Sequence, residues 1–391
     1  MDFKSSQTMP TSRDLLSQLI AFNTVSRESN LALIEFIRAY LTDLGIDSEL
    51  IYSDDQRKAN LYARLGPRGG GGVMLSGHSD VVPVDGQAWT LPPFELSERD
   101  GKLYGRGTAD MKGYIACVLA ALPNFLAQPL RVPLHLAISY DEEVGCLGVR
   151  SLIEALEGRP ERPSLCIIGE PTFMRPVLGH KGKLGMRCEV HGAACHSAYA
   201  PLGVNAIEYA AKLIARLGEI GQRLAAKERH DARFDPPYST VQTGTISGGS
   251  ALNIVPEHCR FDFEVRTLPA DDAQQVASEL QAYAQELVPQ MQAVQADTSI
   301  RFTPISAYPG LATAADSEAA QLLALISGSD EFGTVAFGTE GGLFDQAGIA
   351  TVVCGPGSMD QGHKPDEFVS LDQLGQCDAM LTRLAEWMRY S

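Results

Sequence analysis

Several features that would assign the chain quickly are missing. None of its eight cysteines falls in a C-x-x-C pair: Cys117, Cys146, Cys166, Cys188, Cys195, Cys259, Cys354 and Cys377 are scattered. A chain of 391 residues needs no disulfide staples, so free thiols in a reducing cytoplasm are expected. No apolar run approaches the ~18 residues of a membrane span, and the opening MDFKSSQTMPTSRDLL lacks the apolar core of a signal peptide. Positive charge is scarce, with 32 Lys and Arg against 48 Asp and Glu and a formal net charge of -16. Such a surface repels phosphate backbones and anionic membranes, which argues against nucleic acid and membrane partners and reads as solubility. There is no internal repeat and no low-complexity tract. What remains is ordinary globular composition, 45% apolar and 20% charged. The length suits two domains, or one large domain with an insertion.

Helical spacing runs through residues 11–45, with Thr11 or Ser12 as cap and Leu15, Leu16, Leu19 and Ile20 on one face, then Leu33, Ile34, Phe36, Ile37, Tyr40 and Leu41. Residues 48–52 and 60–65 read as strands. The glycines at 69–72 lack a following Lys-Ser/Thr and a helix start, so they read as a hairpin loop rather than a phosphate cradle. Short apolar strands at 73–76, 133–139 and 165–168, with an apolar helix at 113–126, predict an α/β sheet with substantial parallel pairing. After about residue 184 the pattern becomes strand 185–191, helix 205–217, strands 240–246 and 260–266, helix 271–287 and strand 299–304, a ferredoxin-like α+β block. The α/β pattern returns with helix 317–326, strands 333–337 and 350–354, and helix 371–388. The expected fold is an α/β catalytic domain built from residues 1–184 and 309–391, interrupted by an α+β domain at 185–308.

Acidic and imidazole side chains sit at the ends of these strands or just beyond them, where open α/β sheets bind ligands. His78 lies in GHSD, and two residues on, across the same strand face, Asp80 can reach its ring and fix its tautomer. Asp110 lies in GRGTADMKG, whose glycines permit unusual backbone geometry. The spacing of Gly105, Gly107 and Gly113 does not fit a dinucleotide fingerprint. Glu142 and Glu143 are adjacent in YDEEVG. Two neighbouring carboxylates in a cleft need a cation or a raised pKa, and their different directions suit one ligand and one proton carrier. Glu170 follows a buried strand in IIGEPT, and His363 lies in the long polar loop GPGSMDQGHKPDE. Taken singly, each has an ordinary explanation as a cap, a solvated turn or a surface histidine. Jointly, two histidines and three carboxylates make a mixed nitrogen and oxygen set suited to zinc. A shared aspartate with one histidine and one glutamate per ion would leave a water between two metals.

The segments SGHSDVVPV, YGRGTADMKG, YDEEVG, IIGEPT, VHGAACHSAYAPLGVNA and GHKPDEF resemble, in order along nearly the whole chain, the acetylornithine deacetylase and succinyl-diaminopimelate desuccinylase family. That family lies within the wider group of two-zinc aminoacylases and carboxypeptidases. The resemblance implies that Asp110 bridges two zinc ions, with cobalt as a possible substitute. His78 and Glu170 would hold one ion, and Glu143 and His363 the other. Glu142 would be the general base, the peptide after Asp110 cis, and the inserted domain a lid and dimerisation element. His196, in CHSAYA, would hydrogen-bond the oxyanion, from its own subunit or its partner in a homodimer.

The expected substrate is a small N-acyl amino acid. Asn253 in SALNIVPE and Arg266 in FEVRT resemble residues that grip a substrate carboxylate, a task suited to a planar guanidinium. Lys181 in GHKGK would line the cleft or the hinge. GTEGGLF resembles the deacetylase branch more than the desuccinylase branch, with Glu340 or Asp345 placed to attract an ornithine ammonium. N-acetylornithine is therefore the expected substrate. Desuccinylase, general aminoacylase and glutamate-type carboxypeptidase activities are the near alternatives, and a metal-free binding protein is the non-enzymatic one.

Overall fold

The computed structural model describes residues 9–226 and 230–390. Residues 1–8, part of the polar opening segment, lie outside the described residues. The chain forms two compact units. The first comprises the residues up to 179, 311–334 and those from 339 onward, and the second 180–310 with 335–338. The sequence places the breaks at 184/185 and 308/309.

The first unit is built on a nine-stranded mixed sheet. Its centre is four strands in the spatial order Leu134–Ser139, Val73–His78, Leu165–Pro171, Ala350–Gly355. All neighbours among these four run parallel. The first three are buried at every position, which is why they read as unbroken apolar runs: a parallel strand with both faces covered has no solvent side. The helices Lys112–Leu126 and Glu318–Ser327 pack on these strands, and Leu371–Tyr390 packs on both helices. In this order the earliest strand, Val73–His78, lies between the second and third. The chain leaves it in one direction for Leu134–Ser139 and crosses back for Leu165–Pro171. A crevice forms at such a reversal, outside the carboxyl ends of the strands. His78 and Glu170 stand on its two sides.

The helix expected over 11–45 is two helices, Ser12–Ile20 and Leu31–Asp43. Thr11 closes a capping box with Asp14. The intervening NTVSRESN is rich in residues whose side chains compete for backbone hydrogen bonds or lose rotamer freedom in a helix. Val25 instead bridges Val81 in parallel pairing, which sets Ser26 against the segment after His78. A three-stranded sheet that the sequence did not reveal joins Ser97–Arg99, Lys102–Tyr104 and Phe368–Ser370. Through it the segment that follows His363 is tied to the one that precedes Asp110.

The second unit carries a four-stranded antiparallel sheet in the order Thr240–Gly248, His258–Thr267, Gly182–His191, Ser299–Tyr308. With helices after the first and third strands in chain order, this is the ferredoxin-like arrangement. Alternation decides the faces. Leu184, Met186, Cys188 and Val190 point inward to meet Leu213, Leu217 and Ile220 of helix Ala206–Ala225 and Leu280, Leu287 and Met291 of helix Ala273–Gln292. On the opposite face Arg187 forms a two-point ion pair with Asp262, at 2.8 and 2.9 Å.

One close approach ties the fold of the first unit to its site. A Cβ on Gly169, the residue before Glu170, would lie 1.8 Å from the Tyr114 ring. The Gly169→Ala variant is expected to lose about 1–3 kcal/mol of stability through overpacking, read by chemical denaturation. The same change on a Tyr114→Leu background should cost less, and an equal cost on both backgrounds would contradict the steric account.

Candidate metal centre

The strand ends bring His78, Asp110, Glu142, Glu143, Glu170 and His363 together. Asp110 occupies the middle. Its Oδ1 lies 3.0 Å from His78 Nε2 and its Oδ2 3.1 Å from His363 Nε2. Glu170 Oε1 is 3.5 Å from His78 Nε2, and Glu143 Oε2 is 3.0 Å from His363 Nε2. Donor atoms of His78, Asp110 and Glu143 lie within 4.8 Å of one another, as do those of His78, Glu142 and Glu170. By distance alone Glu142 is as close to His78 as a ligand would be. Its carboxylate accepts from the Cys146 thiol at 3.5 Å.

The electrostatics are those of a pocket with too many carboxylates. Burial, and then the neighbouring carboxylates, push Glu170 well above the ordinary range. Burial does the same to Glu142, although the His78 ring opposes it. Burial and Asp110 raise Glu143 to about 7. Burial would raise Asp110 too, but hydrogen bonds from His363 and His78 win and hold it well below the usual value. Hydrogen bonds to Asp110 and Glu143 raise His363 to about 11. His78 is raised despite its burial, by Asp110 and Asp80. Crowded carboxylates with this profile call for cations, and the residues fit a metal. Oxygen and imidazole donors converge, and His78 Nδ1 lies 2.9 Å from the Asp80 carbonyl oxygen. Donation there leaves the Nε2 lone pair free for a divalent ion.

The tautomer of His78 is thus set by the backbone of Asp80, which sequence reasoning had assigned to its carboxylate. The carboxylate is 3.6 Å from Nδ1. It accepts the Ser26 hydroxyl at 2.7 Å and the amides of Glu142 and Glu143 at 3.1 and 3.3 Å, so its closest partners are on the turn that carries both glutamates. Lys58 extends this brace: its amine reaches the Ser26 carbonyl and lies 2.5 Å from the Asp141 carboxylate. Asp110 has a brace of its own. Glu367 Oε1 accepts the amides of Gly107, Ala109 and Asp110 at 2.9–3.1 Å. Its Oε2 pairs with Arg106 at 2.6 Å, both side chains being about 1% exposed. Gln87 donates to the His363 carbonyl at 2.9 Å, and His363 itself takes a left-handed backbone, φ 62. The Asp110-Met111 peptide is cis. Ser26, Lys58, Arg106 and Glu367 were not found from sequence. Arg106 lies in YGRGTADMKG and Glu367 in GHKPDEF, so two of the four sit inside motifs that mark the site.

Glu340 belongs to the first unit but is buried. It accepts the Ser139 hydroxyl at 2.5 Å, and burial raises it to about 7. Asp345 is exposed. In the second unit, Lys181 is buried with its amine on the carbonyls of Pro236 and Tyr238, at 2.7 and 2.9 Å, so it is an internal strut rather than a free cation. Arg266 donates to the Tyr308 hydroxyl at 2.9 Å and faces Glu264 at 3.3 Å. His196 and Asn253 are exposed on adjacent arms, where the Ser197 amide donates to the Asn253 carbonyl at 3.0 Å.

With His363 raised to about 11 and Glu143 to about 7, the His363 ring keeps its proton around neutral pH and the Glu143 carboxyl keeps one part of the time. A divalent ion must expel them, so metal uptake should release protons and weaken as the pH falls below about 7. Calorimetric zinc titrations in buffers of different ionisation heat test this, and identical heats in all buffers would count against it.

Comparison with known proteins agrees with this geometry. The family model described as peptidase family M20/M25/M40 matches residues 74–387. A protein named acetylornithine deacetylase from Myxococcus xanthus is 38% identical over 383 residues, covering 97% of each chain. One of the same name from Pasteurella multocida is 36% identical over 385 residues, covering 96% of this chain and 97% of its own. Among solved structures, an M20 family metallo-carboxypeptidase from Sulfolobus solfataricus shares the fold with a TM-score of 0.80 at 19% identity, covering 98% of this chain and all of its own. A strand order that puts a crevice at His78, acids and imidazoles gathered around Asp110, and matches spanning nearly the whole length all lead to one assignment: the chain belongs to peptidase family M20/M25/M40.

Proposed function

We propose that the protein hydrolyses the amide bond of a small N-acyl amino acid, with N-acetyl-L-ornithine as substrate and L-ornithine and acetate as products, a step of arginine biosynthesis. The reaction class is carried by one observation: Asp110 offers one carboxylate oxygen to each of two imidazoles, with three glutamates alongside. The choice of substrate rests on relatives named acetylornithine deacetylase that share 33–38% identity over nearly the full length.

In this reading His78 and Glu170 would hold one zinc ion, Glu143 and His363 a second, and Asp110 would serve both, with cobalt able to replace zinc. Ions held there would supply a water of lowered pKa and polarise the scissile carbonyl. Glu142 takes the proton from the attacking water and passes it to the departing amine. Its carboxyl, raised by burial, is suited to keeping that proton between the two steps. Asp80 keeps His78 and the glutamate turn in register. His196, of the same chain or a second copy, donates to the oxyanion. Arg266 and Asn253 take the substrate carboxylate, and Glu340, buried beside Ser139, contributes negative charge that favours an ammonium-bearing substrate. A homodimer through the second unit is supported by its exposed apolar side chains, among them Tyr199, Leu202, Ile246 and Leu252. A cytoplasmic location is supported by eight free cysteines. Among the described residues no helix is long and apolar enough to cross a membrane.

Metal-dependent initial rates on N-acetylornithine, N-acetylmethionine, N-succinyl-diaminopimelate and a dipeptide should favour the first, and preference for the dipeptide would replace this reading with a carboxypeptidase. Glu142→Gln should lower kcat by about 10²–10⁴-fold with metal content unchanged, and wild-type rates in that variant would remove Glu142 from the mechanism. Lys58→Met leaves the Asp141 carboxylate without its cation. It is expected to lower kcat with little change in KM, with partial recovery in Lys58→Arg, and a pure KM effect would contradict the bracing role.

A further inference from the structure

A second group of metal-type donors lies entirely within the second unit and takes no part in the chemistry above. His191 closes the strand Gly182–His191 and His258 opens the strand His258–Thr267, and the two are directly opposed in antiparallel register. Their rings stack with centroids 4.8 Å apart at 28°, and their Nδ1 atoms lie 3.2 Å apart. At that distance one ring donates to the other, so the two nitrogens share a single proton that a divalent ion would displace. Glu257 adds a carboxylate 3.8 Å from His258 Nε2, and one donor atom from each of the three lies within 4.8 Å of the others.

We propose that His191, His258 and Glu257 form a separate binding site for a divalent transition-metal ion, with zinc as its natural probe. Two nitrogens bound to one tetrahedral zinc stand about 3.3 Å apart, which is the spacing the paired strands already impose. His258 and Glu257 are exposed and His191 half-buried, so the rings have room to turn out of their stack and aim a lone pair each at one ion. The remaining position opens on a cavity of about 930 Å³ that these three residues line with Glu189, Ser250 and Arg260, leaving room for a water ligand. Two imidazoles to one carboxylate select zinc, nickel or copper over magnesium and calcium, which take oxygen donors. Bound there, the ion would staple two neighbouring strands at the end of the sheet from which residues 249–257 depart.

The test uses the full-length protein, loaded with zinc, freed of excess and then titrated with zinc at neutral pH beside magnesium. Wild type should take up one further zinc ion per chain and no magnesium there. In the His191→Ala/His258→Ala and His191→Gln/His258→Gln double variants, that binding should weaken by at least about ten-fold, while hydrolysis of N-acetylornithine, or of whichever substrate the panel selects, continues at the wild-type rate. The glutamine pair keeps polarity and much of the volume, so a loss seen in both variants reports on the imidazole donors rather than on folding. No additional ion in wild type below millimolar zinc, or undiminished uptake in both variants, would overturn the site. Because the readout is ion uptake, it does not depend on the identity of the substrate.

Discussion

The structure of the first unit turns on keeping acidic side chains together against their mutual repulsion. Asp110 tolerates the company of Glu142, Glu143 and Glu170 because two imidazoles face its oxygens and because its backbone cannot back away. Glu367 takes three amides of one turn, those of Gly107, Ala109 and Asp110, on one carboxylate oxygen. Arg106 answers that buried charge from the other side. A buried ion pair of this kind contributes little net stability, since desolvation offsets most of the attraction. Its value here is geometric, because it removes the freedom of the turn that presents Asp110. The same pattern repeats at the glutamate turn, where Asp80 holds two amides and Lys58 neutralises Asp141. Each cluster of site carboxylates is thus backed by a carboxylate whose own charge is satisfied by backbone donors.

Topology explains why these residues could be drawn from points far apart in the chain. A parallel strand delivers its carboxyl end to one edge of the sheet, so every crossover returns to the same rim. His78, Glu170 and the turn after Ser139 reach the rim this way, and the loop after Gly355 supplies His363. Selection at the rim can then act on loop residues while the apolar strands stay as they are.

Much of this was legible in the sequence. The central strands appeared as apolar runs because burial on both faces leaves no room for polar alternation. The second unit appeared as a strand and helix succession because its sheet has one wet face and one dry face, and alternation reports which is which. The donor residues were readable because His78, Asp110 and Glu143 occur in short motifs next to those runs. What could not be read were interactions whose partners are distant in sequence. The Arg106–Glu367 pair spans 261 positions, and nothing local to either residue announces it. The break between residues 20 and 31 was hidden because its apolar residues keep helical spacing, and only the bridge from Val25 to Val81 shows what the chain does there. The partners of Lys181 were hidden for a related reason: the carbonyls of Pro236 and Tyr238 that receive its amine are more than 50 positions away.

The stitching of Phe368–Ser370 to Lys102–Tyr104 has a bearing on how the molecule comes into being. Protein synthesis is vectorial, and domains tend to fold as their last residues emerge. The second unit is almost wholly contiguous, so nearly all of it is available to fold while the ribosome is still at work. The first unit must wait, because His363 and the strand that anchors its loop are added after most of the chain has been made. A nascent chain therefore displays Asp110, Glu142, Glu143 and Glu170 for the whole time the ribosome spends on the second unit, before the His363 that completes the group is made.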